Sequence, residues 1–277
     1  MALSPVTPDR ISLNTATLRE QWSLADCIDG CQRHGFGGIA PWRDKLQEMG
    51  VDRAARAIRA AGLSVSGLCR GGWFTEEGAL TPAVIDDNIR AVDEAAEIGA
   101  ACLVMVVGGL PKGSRDIGLA HGLVEEGLAR TLEHARSVGM PVAIEPLHPM
   151  YAADRACVNT MRHALDICDR LGPGIGVACD VYHVWWDPDL AEQIERTGTE
   201  RMLAFHVCDW LVPTRDMLTD RGMMGDGVID IPAIRAQVES VGFSGLTEVE
   251  IFSALDWWKR DPDEVMQIII ERCAKVV

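Results

Sequence analysis

Short apolar runs alternate with longer amphipathic stretches from one end of the chain to the other. The apolar runs are Ile11 to Leu13, Gly38 to Ala40, Leu63 to Leu68, Cys102 to Val107, Val142 to Glu145, Gly176 to Asp180, Leu203 to Cys208 and Leu246 to Ile251. Their length and their polar or glycine-containing borders are those of buried strands. The stretches between them repeat at helical spacing. Thr81 and Pro82 read as a cap and first-turn proline, Val84, Ile85, Ile89 and Val92 form an apolar stripe, and Gly99 closes the helix. Ser23 opens a helix closed near Gly35, Asn159 one closed near Gly172, and Asp230 one closed near Gly242. Pro262 begins the last helix, with Val265, Ile268, Ile269 and Cys273 turned inward.

Strands separated by helices pair in parallel through right-handed crossovers, so the candidates are a doubly wound sheet and a closed barrel. Eight strands favour closure. No Gly-x-Gly-x-x-Gly follows the first strand and no Walker-type loop is present, since Gly71-Gly72 and Gly108-Gly109 are isolated pairs. No Gly/Ser-rich or Pro-rich linker divides the 277 residues, a length that suits one barrel. The expected architecture is a single (β/α)8 TIM barrel over residues 1–277.

Active sites of such barrels form at the carboxyl ends of the strands. At or near the carboxyl ends of the last four runs stand ionisable residues: Glu145, Asp180, His206 and Glu250. Each alone has a bland explanation, as a helix cap, an ion-pair partner or a core histidine. Four at successive strand ends point to one site. Three carboxylates at one rim repel one another and are costly to bury, and a divalent cation resolves the conflict. Three oxygen ligands and one imidazole suit manganese first, then magnesium or cobalt, with zinc also accommodated. Glu248 shares the strand parity of Glu250 but sits a layer deeper, which makes it the reserve ligand, with an ion pair as its other role.

Composition narrows the function. With 41 acidic against 26 basic residues the formal charge is −15, which opposes nucleic acid and anionic membrane surfaces. The amino terminus MALSPVTPDR lacks the features of an export signal and no run is long enough to span a bilayer, so a cytoplasmic location is expected. Nine dispersed cysteines without a Cys-x-x-Cys pair read as buried free thiols. Trp42, Trp73, Trp185, Trp186, Trp210, Trp257 and Trp258 fall in loops that could rim a sugar site or pack against one another. Trp257-Trp258 reads as an exposed contact of a homo-oligomer, and His148 as a surface residue, with support of the site as its alternative role.

Several segments resemble the sugar phosphate isomerase/epimerase family of xylose isomerase-like barrels, which includes ketose 3-epimerases and inosose isomerases. They are Ile144-Glu145-Pro146-Leu147, Cys157-Val158-Asn159-Thr160, Asp180-Val181-Tyr182-His183, Phe205-His206-Val207-Cys208-Asp209, Gly225-Asp226-Gly227 and Val249-Glu250-Ile251-Phe252. The resemblance implies that Glu145, Asp180, His206 and Glu250 hold one metal ion, that His183 contacts substrate, and that an arginine after the seventh strand, Arg215 or Arg221, neutralises charge. It implies proton transfer beside the carbonyl of a small sugar, ketose or inosose, with or without a phosphate, through a metal-stabilised ene-diolate, with Glu145 and Glu250 as base and acid. Two alternatives remain: a dehydratase of an inosose or sugar acid, and a non-catalytic sugar-binding barrel. An AP-site endonuclease fits poorly, because it needs further histidines and a DNA-compatible charge.

Overall fold

Nine parallel strands form a nearly closed barrel in the computed structural model, which describes residues 3–277; Met1 and Ala2 of the amino-terminal segment lie outside that range. The strands are β1 (Ile11–Asn14), β2 (Gly38–Ala40), β3 (Ser64–Val65), β4 (Leu68–Gly72), β5 (Leu103–Val106), β6 (Val142–Ile144), β7 (Ile175–Asp180) and β8 (Met202–Val207). After a two-stranded ladder of β9 (Asp209–Trp210) and β10 (Arg221–Gly222), β11 (Thr247–Val249) completes the set. The order around the sheet is β3-β2-β1-β11-β8-β7-β6-β5-β4.

The count of nine arises from the expected third strand, which is in two pieces. β3 bonds to β2, and after Ser66 and Gly67 the chain changes partner so that β4 bonds to β5. Among the described residues, only the isolated bridges Trp42 to Cys69 and Val65 to Ala100 cross that seam. β4 also runs past the predicted end at Leu68, because Arg70, Gly71 and Gly72 hide it from an apolar pattern. At Gly72, φ is +110° and an added Cβ would lie 2.0 Å from the Val106 carbonyl oxygen, so a side chain there would break the β4–β5 contact.

Strand parity divides each stave into an outer and an inner set. Residues such as Leu103, Met105, Val142, Ile144, Val177, Phe205 and Val207 belong to the main core that includes the buried faces of the helices. The separate inner cluster is built of small side chains: Cys69, Cys102, Val104, Ala143, Ala178 and Ala204. Two residues beyond Ala143, Ala178 and Ala204 on the same face stand Glu145, Asp180 and His206. The inner wall is therefore narrow-shouldered below and ionisable above.

Helix punctuation follows the sequence signals. Ser23 and Asp26 form a capping box and Gly35 ends the helix in the left-handed region; Thr81, Asp230 and Asp261 cap their helices as side-chain acceptors. The helix assigned to Asn159 starts one residue later, because Thr160 caps it while the Asn159 amide donates to the carbonyls of Leu147 and Ala156. All nine cysteines are free and buried. Among the described residues no helix is long and apolar enough to cross a membrane.

Candidate active site

Glu145, Asp180, His206 and Glu250 each offer a ligand atom, and those four atoms lie within 4.8 Å of one another. All four residues are buried, at 4%, 0%, 1% and 3% exposure, which brings three carboxylates and an imidazole together away from water. His206 Nδ1 is 3.0 Å from Glu145 Oε1. His206 Nε2 lies 3.4 Å from Glu248 Oε1, but off line, and it makes no hydrogen bond. A buried nitrogen without a hydrogen bond beside crowded carboxylates is what a divalent ion would satisfy, so the donor set fits one.

Arg221 supplies the permanent positive charge. Its NH1 donates to Asp180 Oδ2 at 3.0 Å and to Glu250 Oε2 at 3.1 Å, while NH2 lies 3.2 Å from His183 Nε2. The rings of Tyr182 and Phe252 lie 4.4 and 5.0 Å from the guanidinium carbon. Burial works against ionisation of Asp180, yet Arg221, His183 and His206 hold its carboxyl below the usual aspartate range. Glu250 behaves oppositely: burial, with Glu145 reinforcing it against Arg221, pushes its carboxyl up to about 8. Burial also pushes the His183 imidazole down to about 3, keeping it neutral between the His148 N–H at Nδ1 and Arg221 at Nε2.

Below this layer Glu248 accepts hydrogen bonds from Asn14 (2.7 Å) and Ser66 (2.6 Å), and the same Asn14 amide reaches Glu250 Oε1 at 3.0 Å. Above it opens a small cavity lined by Trp42, Cys69, Arg70, Val106, Leu147, Arg155, His183, Leu218, Arg221 and Phe252, with Glu145 and Glu250 at its floor. Larger depressions elsewhere on the surface do not contain this cluster.

The sequence model of the xylose isomerase-like TIM barrel family matches residues 28–269. The chain belongs to that family. It is 23% identical to the inosose isomerase of Bacillus licheniformis, over 97% of this chain and 98% of that protein. Among solved structures, protein SMc04130 of Sinorhizobium meliloti 1021 superposes with a TM-score of 0.91 at 60% identity, covering 95% of this chain and 96% of the other. The IOLI protein with a binding zinc atom has a TM-score of 0.83 at 19% identity, over 97% and 98% of the two chains, and shares the fold.

In this xylose isomerase-like barrel the two candidate arginines part company. Arg215 is 51% exposed and paired with Asp220, away from the cluster, whereas Arg221 is buried within it. The long segment after β8 explains the choice. Asp209 accepts backbone N–H bonds from Gly225 (2.9 Å), Gly227 (2.8 Å) and Ile229 (3.1 Å), and β10 pairs with β9, which carries Arg221 back over the barrel. Gly227 must stay small, since an added Cβ would lie 2.1 Å from the Trp210 carbonyl oxygen.

Other expectations change. Trp257 is buried under Arg260, and Trp258 is part-buried with its indole N–H on the Ala16 carbonyl, so this pair is packed rather than presented. Of the loop tryptophans, Trp42 lines the cavity, while Trp210 packs on His148 and Tyr182 behind it. His148 is half-buried and holds the His183 ring through its backbone, not a free surface group. Sequence reasoning missed Asn14, Ser66, Arg70, Arg155 and Asp209. The polar residues that directly follow the first and seventh apolar runs are Asn14 and Asp209; the others follow no strand-end signal.

Proposed function

We propose that this barrel is a metal-dependent isomerase or epimerase of a small sugar, ketose or inosose. Supporting this reading is the convergence of ligand atoms of Glu145, Asp180, His206 and Glu250 within 4.8 Å of one another at the floor of a cavity at the carboxyl ends of the strands. The full-length similarity to an inosose isomerase points to the same chemistry. These four residues would hold one divalent ion, manganese being best matched to the mixed oxygen and nitrogen donors, which when bound supplies Lewis-acid charge for a substrate carbonyl and its neighbouring hydroxyl.

The chain's own groups would do the rest. Glu145 and Glu250 reach the cavity from β6 and β11, so one carboxylate can take a proton beside the carbonyl and the other return it on a different face or carbon. Neutral His183 would hydrogen-bond a substrate oxygen, and Arg221, already fixed between two carboxylates, would offset the negative charge that develops there. The surrounding wall of Trp42, Leu147 and Phe252 would limit water around the reacting carbons.

Metal analysis combined with solvent-deuterium exchange into a panel of ketoses and inososes tests the reading. The native chain should carry about one divalent ion and exchange a carbon-bound proton in at least one compound. Glu145→Gln should lower that exchange by about 10³-fold or more while circular dichroism stays native. Retained exchange in the variant would remove Glu145 from its assigned role, and stoichiometric metal with no exchange anywhere would favour a binding protein.

A further inference from the structure

The cavity above the acidic cluster has a second charged element that the isomerase reading leaves unused. Arg70 and Arg155 both line it, and neither guanidinium has a hydrogen bond or an ion pair among the described residues. Other arginines that are not fully exposed have such partners: Arg43 pairs with Asp87 and Glu94, Arg221 with Asp180 and Glu250, and Arg235 with Glu239. In a chain with a formal charge of −15, two part-buried guanidiniums without carboxylate partners at one opening are out of character.

Both are held in place. Arg70 stands on β4 with its guanidinium over the rings of Trp73 (4.5 Å) and Trp42 (5.8 Å). Arg155 sits in a tight turn: the N–H groups of Asp154, Arg155 and Ala156 converge on the Tyr151 carbonyl, and the Gly108 N–H donates to the Arg155 carbonyl at 3.0 Å. Nearby acids are not their partners. Asp87, in the groove on the far side of Arg70, is taken by Arg43 and Arg90, and Glu76 in that groove pairs with no arginine. Burial holds Arg70 below the usual arginine range and the neighbouring Arg155 cation adds to that, so Arg70 gains from an arriving anion.

We propose that the substrate carries an oxyanion group, a phosphate or a carboxylate, which seats on Arg70 and Arg155 while its carbonyl end reaches the Glu145–Glu250 floor. This deepens the isomerase reading and rests on it for the placement of the carbonyl end. The cavity is thereby polarised, cationic at the opening and anionic at the base. A polyol with one charged terminus would enter in a single orientation. Planar guanidiniums suit either oxyanion through paired N–H donors, so the two sources share one recognition chemistry.

Calorimetric titration of the metal-loaded protein with inorganic phosphate, gluconate and the neutral polyol sorbitol tests the proposal, repeated on Arg70→Gln and Arg155→Gln. Phosphate or gluconate should bind at least about ten-fold tighter than sorbitol, and each substitution should weaken that anion at least about ten-fold with metal content unchanged. The stronger of the two anions identifies the source. Equal affinities for all three compounds would overturn the proposal on native protein alone, whatever the variants do. Anion binding that persists undiminished in both variants would also overturn it, by placing the anion on the metal cluster. Arginine-dependent anion binding without deuterium exchange into any ketose would keep this subsite and sink the isomerase reading. Exchange confined to neutral ketoses and indifferent to both substitutions would do the reverse.

Discussion

Arg221 shows how much of the site depends on one side chain. Two of its nitrogens meet Asp180, Glu250 and His183, and two aromatic rings cover its faces, a role that needs a flat, forked cation. Arg221→Lys keeps the charge and loses the fork and the stacking. Its kcat/KM should fall by about 10²-fold, with a stability loss of about 1–2 kcal/mol in denaturant melts and with metal still bound. Near-native kinetics would mean that charge alone suffices. At this scale the sequence spoke unevenly. Glu145, Asp180, His206 and Glu250 were legible because each stands at or near the end of an apolar run, where a polar residue needs a reason. Arg221 and Arg215 were indistinguishable on the chain, because what separates them is the path of a loop with no periodicity. Arg70 was hidden inside a strand whose pattern broke off two residues earlier.

Among the elements, the segment from β9 to Ile229 has the most leverage over the site. One carboxylate, Asp209, gathers the backbone N–H groups of Trp210, Gly225, Gly227 and Ile229 and so sets where β10 lies. Asp209→Asn replaces an acceptor oxygen with a donor facing those N–H groups. The expected cost is about 2–3 kcal/mol, with faster limited proteolysis between residues 210 and 229 and a parallel loss of exchange activity. Unchanged proteolysis would show that the β9–β10 ladder holds the loop without it. The staves themselves were readable from periodicity, and so were the helix starts at Ser23, Thr81, Asp230 and Pro262. The division into β3 and β4 was not, because a change of hydrogen-bonding partner leaves no mark on an apolar run. The packing of Trp257 and Trp258 was likewise a matter of where a turn folds back.

The whole molecule should report its metal through pH. Glu250 titrates near an ordinary value of 4.5 in an unfolded chain and at about 8 in the folded one, so the metal-free fold carries an extra proton between those limits. That contribution to stability is complete below about 4.5 and is lost as pH rises through about 8. Glu248 and Glu145 hold His206 protonated against its burial, which adds to the same trend above the ordinary histidine range. A divalent ion competes with these protons. Melting temperature should therefore fall for chelator-treated protein between about pH 6 and pH 8.5, while saturating manganese restores it by an amount that grows with pH. An excess of about a hundred-fold over Kd corresponds to about 2.7 kcal/mol. Parallel curves, or a gap that widens toward acid, would contradict the assignment of protons and metal to the same atoms.

The discontinuity between β3 and β4 also bears on how molecules get in. Elsewhere around the cask, neighbouring staves are laced by ladders of successive paired residues, but here single bridges do the joining, and one of them ends on Trp42. The side of the vessel with the fewest rungs is thus the side where Arg70 and Trp42 meet the chamber. A molecule resting against Trp42 and Arg70 would add contacts where the wall has its fewest rungs.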